Sequence, residues 1–385
     1  MATVDAGEQG QTLPSATVRT RSRRTWWIIG GVAVVVLLAL AYLGVGAYIA
    51  DQFTHTNHRR ETSTPASVGL TFDNVTFPSR DGVKLAGWYI PAPGATSAIV
   101  MVHGYTSNRT AEFGGHFLEA ARALHDHGYN IFMINLRGHG ESEGDRFSLG
   151  AKERLDVLGA VDWLQAKGIS KIGALGVSMG AAATAEAAVD PNRGDGIKAV
   201  VLDSVFADSY DPVQREFSST TGLPTWLLPG ARLMAQLMYG VDIAGVRPAQ
   251  DLPKIKAPVM LVYGTADTTV PPDQQQIVLA ARPDAESWVV PGATHARIYL
   301  AQPDEYNKRL FSFFDRTLGA PQTAALPIEQ TWLARAHATA SLRGGRLPTE
   351  VISRRAEMPP YPVQMVLRGD AGLLCPARND SIWST

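Results

Sequence analysis

Five runs of this chain, AIVMV, IFMI, IGALGV, AVVL and VMLVY, are apolar apart from one tyrosine hydroxyl, and each gives way to a loop bearing glycine or aspartate. A strand wet on one side would alternate polar and apolar residues, so such runs have to be covered on both faces. Segments of helical length stand between them: apolar residues recur through Phe117, Leu118, Ala121 and Leu124 up to Gly128, AKERLDVLGAVDWLQAKG follows the second run, and DEYNKRLFSFFDRTL closes the series. The alternation predicts an α/β domain, a mostly parallel sheet flanked by helices. ESWVVPGATH adds another strand-to-loop transition. In VTFPSRDGVKLAGWYIPAP, two strand-like runs about Asp81-Gly82 predict a hairpin where the sheet begins.

A second constraint lies upstream. WWIIGGVAVVVLLALAYLGVGAYIA, residues 26–50, contains no charge, and about 20 apolar residues suffice to cross a bilayer as a helix. Trp26 and Trp27 open the run and Tyr42 and Tyr48 stand near its far end, where aromatic rings prefer the headgroup boundary. Arg19, Arg21, Arg23 and Arg24 precede it, against Arg59 and Arg60 downstream, which predicts a single-pass span with a cytoplasmic N-terminus and the rest of the chain outside. The apolar part of a cleaved signal peptide is shorter, about 7–15 residues.

The chain then divides into a disordered cytoplasmic tail (1–25), the span (26–50), a polar stalk (51–67), the folded domain (68–319) and a C-terminal segment (320–385). In residues 207–256 the alternation lapses into a Pro- and Gly-broken stretch with Trp226, Leu227, Leu228, Leu233, Met234 and Met238. A connection of this length suggests a short helical lid, although ordinary helix packing accounts for the same face. Residues 320–385 hold seven arginines and no lysine. They read as a flexible extension, and an altered reading frame at the gene's end would give a similar composition. The net charge of -1 offers no electrostatic reason to expect a nucleic-acid partner, and one cysteine, Cys375, rules out an internal disulfide and a cysteine-based zinc site.

At Gly176, Ser178 and Gly180 an apolar run ends in G-x-S-x-G, followed by the helix former AAATAEAAV. In a strand, tight turn and helix, the two glycines remove side chains that would collide as the backbone reverses, and the serine hydroxyl is presented at the sheet's edge.

From about Asp73 to Leu318 the sequence resembles the α/β-hydrolase superfamily, in its serine-hydrolase branch of small-lid esterases, lipases and acylaminoacyl-peptidase-like enzymes. The resemblance rests on VHGYTSNR, INLRGHGES, GVSMG, YGTADTTVPP and GATH in that order. It implies an α/β-hydrolase fold and the order nucleophile, acid, base. Ser178 is then the nucleophile, Asp267 the acid and His295 the base, with the backbone amides of Tyr105 and Met179 as oxyanion donors. A serine hydroxyl needs such a base, and the base needs an orienting carboxylate.

Other readings compete at several positions. Asp267 would also serve as a loop-turning aspartate, and His295 as a surface histidine. Asp203, at another strand end, is the alternative acid, and His103 is expected to shape the loop after its strand rather than react. Arg137-Gly138-His139-Gly140 would suit a phosphate, but the resemblance implies a structural turn, here with Asn135 where the family often has Asp. His116, His125 and His127 have no metal-ligand spacing, so neither metal nor cofactor is expected. The function implied is a membrane-anchored serine hydrolase acting on a small or lipid-like acyl substrate, a carboxylic ester before a thioester or amide. An acyltransferase on the same machinery, and a catalytically silent membrane-tethered binding module, are the alternatives.

Overall fold

The computed structural model describes residues 23–192 and 194–321. Most of the expected tail and nearly all of the expected C-terminal extension lie outside the described residues.

The chain opens with helix α1 (Arg23–Thr54), then strands β1 (Asp73–Pro78), β2 (Lys84–Ile90) and β3 (Ser97–Val102). After β3 come α2 (Glu112–Gly115), α3 (Phe117–His127), β4 (Asn130–Ile134), α4 (Glu153–Ala166), β5 (Lys171–Val177), α5 (Met179–Ala188) and β6 (Ile197–Asp203). The expected lid region holds α6 (Tyr210–Thr221), α7 (Leu228–Tyr239) and α8 (Pro248–Asp251), before β7 (Val259–Gly264), α9 (Pro272–Ala281), β8 (Glu286–Val290), α10 (Ile298–Ala301) and α11 (Pro303–Leu318).

The eight strands form one sheet in the order β1-β2-β4-β3-β5-β6-β7-β8. β1 and β2 pair antiparallel about the Asp81-Gly82 turn, where Gly82 takes a φ of 89°. β2 runs antiparallel to β4, and every later pairing is parallel. Side chains of a strand alternate between faces. On β3, Ala98, Val100 and Val102 pack towards α4 and α5 with Val157, Leu164 and Met179, while Ile99 and Met101 pack towards α3 and α11 with Phe117, Leu310 and Phe314. Both faces are dry, as the unbroken apolar runs require.

The first turns of α1 point away from the domain, and its most apolar window is wholly exposed with a mean hydropathy of 2.7. Its far end does not. Tyr42 stacks on Trp226 at 5.9 Å between ring centroids, donates its hydroxyl proton to the Trp226 carbonyl and accepts the Gly230 N–H, both at 3.0 Å. Helix α7 crosses here because both helices lack side chains at the contact: a Cβ on Gly46 would lie 2.7 Å from the Gly230 carbonyl carbon. Leu227, Leu228, Ala231 and Ala235 are buried, whereas Trp226, Leu233, Leu237 and Met238 are exposed.

Residues 51–67 differ from the expected stalk. They form a strap held against the domain: Thr56 N–H donates to the Asp145 carbonyl at 3.0 Å, and Asp51 pairs with Arg146 at 2.6 Å. Glu61 accepts from Arg109 Nε at 2.9 Å and from Asn135 Nδ2 at 2.5 Å. Asp51, Thr56 and Glu61 thus find partners on the body of the domain, while Asn57, His58, Arg59 and Arg60 between them are exposed.

Candidate active site

The site assembles at the ends of three parallel strands. After β5 the chain reverses at Ser178, whose φ of 52° and ψ of -118° lie where a non-glycine residue is strained. A Cβ on Gly176 would lie 2.7 Å from the Ala181 nitrogen, and one on Gly180 would lie 2.5 Å from the Val102 carbonyl oxygen. Ser178 N–H is held by the Asp203 carbonyl at 2.8 Å. The strained turn is thereby fixed from both sides.

Asp267 follows β7 in a turn that its own Oδ1 organises, accepting N–H bonds from Thr269 at 2.9 Å and Val270 at 2.7 Å. Oδ2 stands 2.8 Å from His295 Nδ1, and His295 Nε2 stands 2.8 Å from Ser178 Oγ. These distances fit the tautomer with the proton on Nδ1, donating to Asp267 and leaving Nε2 to accept from the serine. Asp267 and His295 are both buried, 2% and 7% exposed. Burial by itself lowers the imidazole's proton affinity, but the hydrogen bond and charge of Asp267, with Asp203 and Glu112 behind it, outweigh this and raise the pKa.

Asp203 is not brought to the imidazole. Its carboxylate accepts from Tyr306 Oη and Ser204 Oγ, each at 2.8 Å, and burial pushes its pKa up to about 7. Ser204 Oγ in turn accepts the Ala296 N–H at 3.1 Å, so Asp203 braces the turn carrying His295. His103 is buried with Nδ1 against the Gly104 carbonyl and Nε2 accepting the Leu136 N–H, and burial drives its pKa well down. It shapes the loop. Arg137 is saturated by Asp156 at 2.6 Å and Asp81 at 2.7 Å, which makes R-G-H-G a structural turn without capacity for phosphate. His116, His125 and His127 face Glu119, Asp126 and Asp315, and no cluster of metal-binding groups occurs among the described residues.

Ser178 and His295 open into a recess of about 90 Å³ that Tyr105, Glu112, Arg59 and Arg297 also line. Met179 N–H, first of α5, is one of the N-terminal amides with no acceptor within its own helix. Glu112 had no signal in the sequence: it is buried, its Oε2 accepts the Gly104 N–H at 2.6 Å, and burial raises its pKa. Arg59 and Arg297 had none either, because one comes from the strap and the other from the turn after the histidine. The recess adjoins a cavity of about 1260 Å³ between strap and lid region, reached by Phe53, Phe147, Val213 and Ile243.

Residues 99–309 match the sequence profile of the alpha/beta hydrolase family. The chain belongs to that family. Among curated relatives, YfhR of Salmonella typhi is 26% identical over 290 residues, covering 70% of this chain and 89% of YfhR. The alpha/beta hydrolase domain-containing protein WAV2 of Arabidopsis thaliana is 25% identical over 265 residues, covering 66% of this chain and 82% of WAV2. Of solved structures, the Pyrococcus furiosus esterase Pf2001 superposes with a TM-score of 0.57 at 27% identity, over 69% of this chain and 100% of its own. With an esterase among its structural relatives, this family member is a hydrolase.

Proposed function

We propose that this hydrolase is a membrane-anchored serine esterase, cleaving a carboxylic ester of a small or lipid-like acid through Ser178, His295 and Asp267. One observation carries the reading: an unbroken hydrogen-bonded series from Asp267 through His295 to Ser178 Oγ, each step 2.8 Å, ending in an open recess.

Ser178 Oγ attacks the ester carbonyl carbon as its proton passes to His295 Nε2. The carbonyl oxygen becomes an oxyanion that accepts from the Tyr105 and Met179 amides, donors useful only once that charge appears. The tetrahedral species collapses, the carbon–alkoxy bond breaks, and the leaving oxygen takes the proton from His295. Water then attacks the acyl-serine with His295 again as base, releasing the acid and restoring Ser178. Asp267 holds the imidazole tautomer and balances the imidazolium charge.

The anchor is α1, whose apolar length and exposed first turns suit a bilayer. Labelling of the full-length protein with a fluorophosphonate probe tests the chemistry. Loss of labelling in Ser178→Ala, with cleavage of p-nitrophenyl esters by the wild type, is the expected result. A folded wild type that neither labels nor turns over any ester, thioester or amide refutes the esterase. Carbonate extraction tests the anchor, with retention in the membrane pellet expected.

A further inference from the structure

We propose that Arg59 and Arg297 form an anion-binding subsite beside Ser178, so that the ester cleaved here carries an anionic group within a few bonds of its scissile carbonyl, on an otherwise apolar body. The inference rests on the serine-esterase reading and names the substrate class of that same site.

The two guanidinium groups reach one recess from unrelated parts of the chain. Arg59 belongs to the strap and Arg297 lies two residues after His295, yet both line the space of about 90 Å³ that contains Ser178. Neither has an acidic partner among the described residues. Three other arginines near the site do: Arg109 pairs with Glu61 at 2.8 Å, Arg137 with Asp81 and Asp156, and Arg146 with Asp51 at 2.6 Å. Among the described residues lining the recess, the one acid is Glu112, whose carboxyl group is engaged by the Gly104 N–H. In the adjoining cavity, Arg59, Arg60, Arg146 and Arg297 face a single carboxylate, Asp51, already committed to Arg146. Walls of one sign focus a positive potential on the mouth of the site.

The backbone yields to Arg297. Phe113, Gly114 and Gly115 run through successive positive φ values of 53°, 66° and 98°, and any Cβ at Gly114 would collide with the Arg297 guanidinium. Arg297 is half-buried, where a cation without a counter-ion is unfavourable, and a ligand carboxylate or phosphate offsets that cost through charge-assisted, bidentate bonds, to which the exposed Arg59 adds a second guanidinium at the rim of the recess. The smallness of the recess keeps the anion near the reacting carbonyl. The apolar side chains Phe53, Phe147, Val213 and Ile243 in the cavity of about 1260 Å³ supply room for a hydrocarbon chain.

The test uses the full-length enzyme in detergent micelles with three esters of one fatty acid: a monoacylglycerol, the same ester bearing a glycerol phosphate, and one bearing a terminal carboxylate. Wild type is expected to favour at least one anionic ester over the neutral one in kcat/KM by about 10-fold or more, the scale of a charge-assisted bond. Arg297→Ala and Arg59→Ala should each lower that ratio several-fold, mainly through KM, and Arg297→Lys should restore part of it. Preference for phosphate over carboxylate, or the reverse, identifies the headgroup. An independent measurement is protection: decyl phosphate should slow fluorophosphonate labelling of Ser178 where decanol does not, and Arg297→Ala should remove the difference. Equal handling of neutral and anionic esters, with equal protection by the two decyl compounds, overturns the subsite while leaving the esterase intact. Absence of both labelling and turnover overturns the two together.

Discussion

Removing the carboxylate of Glu61 should destabilise the catalytic domain although the residue lies outside the segment matched to the family. Arg109 is among the largest fully buried side chains, 1% exposed, stacked 3.8 Å above Trp88. Its buried counter-charge is Glu61, 11% exposed, because its other partner Glu141 is 69% exposed and well solvated. Breaking a buried ion pair from one side costs about 3–5 kcal/mol, since the remaining charge is left unpaired. The surviving Glu141 contact recovers at most about 1 kcal/mol, and the Asn135 amide loses its acceptor. We therefore expect about 3 kcal/mol for Glu61→Ala, which for a domain of this size lowers the melting temperature by roughly 6–12 °C. Glu61→Gln keeps an acceptor without the charge and should fall between wild type and alanine. Thermal unfolding of the full-length protein in detergent, followed by tryptophan fluorescence, measures both. A Glu61→Ala protein melting within about 1 °C of wild type would refute the reasoning, because the strap would then be a tether making no essential contact.

His295→Ala should lower kcat/KM for a p-nitrophenyl ester by roughly 10⁴-fold or more, as removal of a triad base does, with folding unchanged by circular dichroism. Because the folded His295 pKa is raised, and only the neutral imidazole acts as base, kcat/KM should fall on the acid side through a midpoint above the ordinary histidine value of about 6.5; an acid midpoint below that value counts against the Asp267 contact. The same shift stabilises the folded state below the unfolded histidine pKa and is lost as pH rises through the folded one, so Asp267→Asn should diminish that loss of stability across neutral pH in urea titrations. Gly46→Leu places side-chain atoms against the Gly230 backbone, and overpacking of this kind costs about 1–3 kcal/mol; faster proteolysis between residues 222 and 240 should report separation of α7 from α1.

The legible part of this molecule was the part governed by local periodicity and turn chemistry. Apolar runs covered on both faces required a sheet between helix layers, and Gly176 and Gly180 marked the reversal at Ser178. Asp267 and His295 could be singled out because each follows its strand directly and the resemblance implied the order of nucleophile, acid and base. Arg59, Glu61 and Glu112 could not. A polar segment after an apolar helix looks alike whether its charges meet water or meet Arg109 and Asn135 some 48 and 74 residues away. The opposite ambiguity attended the stretch around α7, where Leu227, Leu228 and Ala231 pack inward while Leu233, Leu237 and Met238 face outward. Amphipathic spacing identifies two faces without saying which neighbour covers one of them, and that neighbour is the end of α1.

The segment proposed to hold this enzyme in the membrane is thus continuous with one wall of its reaction site. From Tyr42 to Ala50, α1 carries the lid region through Trp226 and Gly230; just beyond α1's last residue, Thr54, the strap delivers Arg59 to the recess and Glu61 to the core. A soluble fragment begun at Val68, where the sequence places the start of the folded domain, keeps Ser178, Asp267 and His295 but loses Arg59, strips Arg109 of its buried counter-charge and frees α7 from its partner helix. Such a fragment should label with a serine-directed probe only as long as it stays folded, melt well below the full chain, and hydrolyse esters without preference for an anionic group. If it matched the full-length enzyme in all three respects, neither the strap nor the end of α1 would belong to the catalytic unit.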